Sequence, residues 1–170
     1  MKIEMNNIGE LFQSEDDKFY WESCEVIIPA IFNTKWSFIF EDFDPSTQSE
    51  KYQDAINNFM KMSNTDFKKA GPYLFQYYED TIQKWNPKPK EYEKFYSAND
   101  VWSHVDFSSG YYITASTDVD DEVYLSLSSN CDWNEEHGLQ IVYYRGNELV
   151  RVGSFTGHFR NPNKNLIFQY

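Results

Sequence analysis

The sequence predicts an α+β domain, and three observations carry that expectation. Residues 19–41 are dense in aromatic and β-branched side chains, residues 52–85 repeat apolar side chains every three or four positions, and residues 111–153 alternate apolar with polar. Strands, then helices, then strands is the order of segregated α and β elements, not of alternating β-α-β units. A chain of 170 residues suffices for one such domain with a buried core, because about 70% of the unfolded surface leaves water at this size.

Residues 1–18 are polar and acidic, with Ile8, Leu11 and Phe12 to pack, and read as a lead-in with one helical turn. Phe19-Tyr20-Trp21 through Val26-Ile27-Ile28 suits a strand. Pro29 places the end of that strand at an edge or a bulge. Asn33-Thr34 offers a turn and Lys35–Glu41 a return strand, so residues 19–41 form an N-terminal β-hairpin. Asp44-Pro45-Ser46 then breaks the chain and opens a helix, with proline in the first turn and Ser46 or Ser49 as cap. Tyr52, Ala55, Ile56, Phe59 and Met60 follow at helical spacing.

Asn64-Thr65-Asp66 provides a second cap, Gly71-Pro72 restarts the helix, and Tyr73 to Trp85 carries another apolar stripe. Asn86-Pro87 ends it, since the residue before proline avoids helical angles. The central helices therefore span 45–86, and residues 88–98 form a connector of mixed charge. Residues 110–153 read as a four-stranded antiparallel meander: Tyr111–Ser116, Val123–Ser128, Leu139–Tyr144 and Glu148–Gly153, the last two joined at Arg145-Gly146-Asn147. The N-terminal hairpin is expected to extend this meander, with the helices on one face.

A net charge of −12 repels phosphate, which argues against nucleic acid and anionic membrane as partners. The charge is uneven: between Phe95 and Tyr144 there is no Lys or Arg, while Asp118, Asp120, Asp121, Glu122, Asp132, Glu135 and Glu136 fall inside. Such a window reads either as a solvated acidic surface or as a platform for a basic protein partner or a divalent cation. Cys24 and Cys131 lie far apart without CxxC spacing, so reduced thiols are expected. Met1–Asn7 has no apolar stretch, and no run approaches the ~18 apolar residues of a membrane helix; the expectation is a cytoplasmic protein. With 7 glycines, no phosphate-cradling loop and no GxSxG, no cofactor or catalytic residue is assigned.

Ser129 to Leu139 packs a thiol, three carboxylates, an indole and an imidazole into one turn between two alternating runs. The leading reading of the turn is structural. Asn130 or Asp132 makes an Asx-turn, Gly138 takes unusual backbone angles, Trp133 closes over the sheet edge and Cys131 packs as a small apolar group. The second reading is partner contact, with Asp118, Asp120, Asp121, Glu122, Asp132, Glu135, Glu136 and His137 as an acidic surface and Trp133 as its anchor. The third is a metal or thiol site built from Cys131, Glu136 and His137 with the distant His158, although the spacing matches neither HExxH nor a paired-cysteine site. Asp118-Val119-Asp120-Asp121-Glu122 lacks the central glycine and distal glutamate of a calcium loop, and reads as a hairpin tip.

Cys131-Asp132-Trp133-Asn134-Glu135-Glu136-His137-Gly138-Leu139, followed by Gly146–Gly153 and Gly157-His158, resembles a family of small bacterial domains marked by a Cys-x-Trp-Glu-Glu-Glu-His-Gly-Leu turn. Asn134 stands where that pattern has an acid. Ile28-Pro29-Ala30-Ile31-Phe32 ahead of a return strand extends the similarity to the N-terminal half. Its members are similar to domains of polymorphic toxin systems, where small acidic cytosolic proteins confer immunity. The resemblance thus implies a non-enzymatic protein that occludes a cognate, basic toxin. A metal- or thiol-dependent enzyme centred on the Cys131–His137 turn and a structural adaptor are the alternatives.

Overall fold

A computed structural model describes residues 2–85, 97–108, 111–118, 120–163 and 165–168. Ten strands form one sheet: β1 Lys2–Met5, β2 Gly9–Gln13, β3 Trp21–Ser23, β4 Val26–Ile28, β5 Thr34–Phe40, β6 Val105–Asp106, β7 Tyr111–Thr117, β8 Val123–Cys131, β9 Leu139–Tyr144 and β10 Glu148–Gly153. The order is β1-β2-β3-β5-β7-β8-β9-β10, with β4 also on β5 and β6 also on β8. Among these ten strands every pairing is antiparallel except β5 with β7.

β3 and β4 are one strand interrupted at Cys24-Glu25. Ser23 Oγ repairs the interruption by accepting from the Phe38 N–H at 2.8 Å. β6 and β7 pair with the same strand, Asp106 with Asn130 and Ile113 with Leu127. The expected α+β order therefore holds, but the four-stranded meander β7-β8-β9-β10 is one half of a larger sheet.

Residues 1–18 depart from the expected lead-in: β1 and β2 form a hairpin turned by Asn7 and Gly9, both at positive φ. Ile3, Met5, Ile8 and Leu11 supply its core side. The opposite side is polar, which is why the segment does not read as a strand pair by apolar content.

Helix α1 spans Pro45–Met60, the short α2 Asn64–Phe67, and α3 Gly71–Trp85. Asp44, rather than Ser46 or Ser49, caps α1 by accepting from the Ser46 N–H at 2.9 Å, with Pro45 in the first turn. Ser63 and Asp66 cap α2 reciprocally. The expected helix end at residue 86 and most of the 88–98 connector lie outside the described residues. A 3-10 turn at Asp100–His104 leads into β6.

The helices pack on one face of the sheet. Phe59 meets Phe38 edge-on at 6.4 Å and Tyr143 at 5.8 Å, Tyr52 lies 5.8 Å from Phe40, and Phe67 lies 6.2 Å from Tyr143. Trp21, Trp36, Phe38, Phe40 and Phe43 are fully buried between the layers, so the aromatic richness of the sequence is spent on this interface. Among the described residues no helix is long and apolar enough to cross a membrane.

The β9–β10 turn shows how closely the layers meet. Gly146 has φ +84°, and a Cβ placed there would sit 1.9 Å from the Ala55 carbonyl oxygen of α1. Both the backbone angle and the space demand glycine. Gly146→Ala is expected to lower stability by about 3 kcal/mol in urea unfolding, the range of severe backbone and overpacking changes. An unchanged midpoint would show that α1 does not seat on this turn.

Candidate functional site

Side chains alternate across a sheet, so each strand sends every second residue to the face away from the helices. One row of that back face can be followed from edge to edge. The register pairs Lys2 with Phe12, Phe12 with Glu22, Glu22 with Ile39, Ile39 with Thr114, Thr114 with Ser126, Ser126 with Val142 and Val142 with Arg151. From Ser126 to Arg151 the row is buried, at 4%, 0% and 5% exposure. Phe12 is 37% exposed, and Glu22, Ile39 and Thr114 are half-buried.

The division has a visible cause. The segment after β10 folds back as a strap: Phe159 stacks on Tyr124 at 5.8 Å, Arg160 pairs with Asp118 and Asp120, and Phe168 bridges to Val152. It covers the β8–β10 half; on the β1–β7 half Ser37 and Ser116 are buried, while Phe12, Ile27 and Tyr112 stay exposed, so this half is the more open one.

The open half is acidic and aromatic. Tyr112 is 48% and Ile27 is 55% exposed, and Glu41 lies on this face two residues beyond Ile39. Partial burial and the neighbouring Asp42 charge push the Glu41 carboxyl above its ordinary range. The Tyr20 phenol is also raised, by burial and by the charges of Glu22 and Glu41. Negative charge is thus crowded here. A ligand cation would relieve it, because an opposite charge favours the ionised carboxylate. Lys35 shares the face beside Ile27.

The turn singled out by the sequence borders this half. Ser128, on the back face one pair beyond Thr114–Ser126, lines a hollow of about 240 Å³ with Glu135, Glu136, His137 and Phe155. Phe155 is 48% exposed, and its N–H donates to the His137 carbonyl at 3.2 Å. Glu135 and Glu136 are exposed; Glu136 stands 3.9 Å from the His137 ring. Asp132 pairs with His104 at 2.9 Å.

Trp133 is not a surface anchor. It is 6% exposed and meets Tyr77 and Tyr78 edge-on, so it closes the core under α3. Asn134 explains its own departure from an acid. Its Nδ2 donates to the Tyr77 hydroxyl at 2.7 Å, that hydroxyl donates to the Gly138 carbonyl at 2.8 Å, and Asn134 Oδ1 accepts from the His137 N–H at 3.1 Å. A carboxylate could accept but not donate in this triangle.

The second acidic group lies elsewhere. Asp118, Asp120, Asp121 and Glu122 sit at the opposite end of β8 from Asp132–His137, about 26 Å away along nine residues of strand. They are also paired within the chain. Arg160 takes Asp118 and Asp120, Lys51 reaches Asp121 at 2.5 Å, and Arg145 binds Glu122. The cation-free window of sequence is thus neutralised at this end by residues distant in the chain.

Cys131 is buried, and burial pushes its thiol up to about 12. The thiolate required for nucleophilic or metal chemistry is therefore disfavoured at neutral pH. Among the described residues no three of His, Cys, Asp or Glu converge as a metal-holding group.

A family model described as a domain of unknown function, DUF6985, matches residues 7–159. The chain belongs to this family. The match spans both halves of the sheet, the helices and the start of the strap. No curated protein and no solved structure matches.

Thiol titration tests the turn. In the native protein at pH 8, a chromogenic disulfide reagent should find one reactive thiol, the exposed Cys24, and a second on denaturation. Two fast thiols in the native state would mean that Cys131 is accessible.

Proposed function

We propose that this domain is an immunity-type binding protein of the bacterial cytoplasm, which neutralises a basic protein toxin by covering it. The observation that carries this reading is the open, acidic and aromatic half of the back face. On this face Phe12, Ile27 and Tyr112 are exposed and Ile39 is half-buried, and exposed apolar area on a sheet suits a protein partner. Tyrosines among carboxylates suit a basic partner: the rings supply area with few rotamers to freeze, and the charges steer encounter.

The proposed contact surface therefore centres on Glu22, Glu41, Tyr20 and Tyr112, with Glu135, Glu136 and His137 at its border. Asp118, Asp120, Asp121 and Glu122 contribute less, because their own cations already screen them. Occlusion needs no catalytic group on this chain. A standard interface of about 1,600 Å² is enough.

The test is capture of a partner by the tagged chain from its native cell at low and high salt. One stoichiometric basic partner, released by salt and lethal when expressed without this chain, supports the reading; a partner that is harmless alone contradicts it. With that partner, a Glu22→Lys, Glu41→Lys, Tyr112→Ala variant of native circular dichroism should bind at least tenfold more weakly. Asp120→Asn, Asp121→Asn should bind within about twofold of the parent. The reverse ranking would move the interface to the 118–122 turn.

A further inference from the structure

The covered half of the back face holds a charge that has no carboxylate partner among the described residues. Arg151 is 5% exposed, yet its partners are all neutral. Nε donates to Gln140 Oε1 at 3.2 Å, Nη1 to Asn161 Oδ1, and Nη2 to Thr156 Oγ1 at 3.0 Å and the Ser154 carbonyl at 3.4 Å. Four acceptors meet five N–H groups, and no carboxylate pairs with this guanidinium among the described residues. A guanidinium cannot shed its proton to escape burial, so an unneutralised one in a protein interior is costly. Burial indeed pulls its pKa down.

The placement comes from a specific irregularity. Leu149 pairs with Tyr143 and Arg151 with Val142, so Val150 is an extra residue in β10. With regular pairing Arg151 would face Ile141 and enter the helical core. The bulge turns it to the back face instead and sends Val152 inward, the re-aiming role of bulges near binding sites.

Arg151 there lines a hollow of about 640 Å³ between sheet and strap, which is the size of a small-ligand site. His158 and Arg160 line it too, against one carboxylate, Asp118. Arg160 spends Nε on Asp118 and Nη1 on Asp120, leaving Nη2 uncommitted among the described residues. Arg160 is thus matched by two carboxylates, whereas the Arg151 lining this hollow has none among the described residues.

We propose that the hollow between the sheet and the C-terminal strap binds a small oxyanion, a phosphate or carboxylate group, on Arg151 with Arg160 and His158 at its mouth. The anion supplies the charge that Gln140, Asn161 and Thr156 cannot, and ties the strap to the sheet. This site is separate from the open half, so it stands or falls independently of the toxin reading.

The test is nuclear magnetic resonance of the full chain, following the buried Arg151 Nε–H signal as inorganic phosphate or succinate is added, with sodium chloride at matched ionic strength as control. Saturable shifts at Arg151 and at the 154–161 amides are expected with at least one of the two. Phosphate alone would identify a phosphate ligand, succinate alone an organic carboxylate, and both a general oxyanion site. Arg160→Gln, which keeps Arg151 and its clamp, should weaken binding at least fivefold. No saturable shift with either anion, or shifts matched by chloride, would overturn the proposal and leave Arg151 as a neutral-partnered clamp on the strap.

Discussion

The parallel pairing of β5 with β7 is the constraint on which the rest of the molecule depends. Two antiparallel halves, one from residues 2–40 and one from 105–153, become one sheet only because Trp36 to Phe40 align with Tyr111 to Ala115. Parallel neighbours need a crossover, and here the crossover contains the three described α-helices. Its helices cover one face. None of the described helices lies on the other face, where the strap after β10 packs on β8–β10. The more open half is therefore a consequence of topology, and the proposed docking surface lies on that half.

Electrostatics follow the same partition. Arg145, Arg160 and Lys51 are brought to the 118–122 turn from three distant places in the sequence. Glu22 and Glu41 on the open half, and Glu135 and Glu136 beside it, have no Lys or Arg partner among the described residues. Raised carboxyl and phenol pKa values at Glu41 and Tyr20 have crowded negative charge among their causes. Below the folded pKa of Glu41 its carboxyl is neutral and this repulsion is relieved, so its contribution to stability is lost as pH rises through that value. A cation docked there would reverse the penalty.

Much of the fold was legible in the sequence because periodicity reports burial directly. Tyr52, Ala55, Ile56 and Phe59 face the sheet as their spacing implies, and Gly146 marks the turn that only glycine can make. The first hairpin was not legible, because Phe12 is the sole large apolar residue on its back side and polar strands look like loops. The site was half legible. Glu135, Glu136 and His137 lie where a short reactive turn suggested, but Trp133 is spent on the core against Tyr77 and Tyr78. Phe12, Glu22, Ile39 and Tyr112 come from four strands and meet only through register, which no local pattern encodes. Arg151 was hidden for a related reason: one extra residue in β10 decides which face it takes.

The most direct measurement is hydroxyl-radical footprinting of side chains, free and bound to the captured partner. Oxidation is expected to fall at Tyr20, Tyr112 and Phe155 on binding, while Phe32 and Leu166 are unchanged. Protection confined to the 118–122 turn or the helical face, with Tyr20 and Tyr112 as reactive as in the free protein, would contradict the claim that the open half of the sheet is the docking surface.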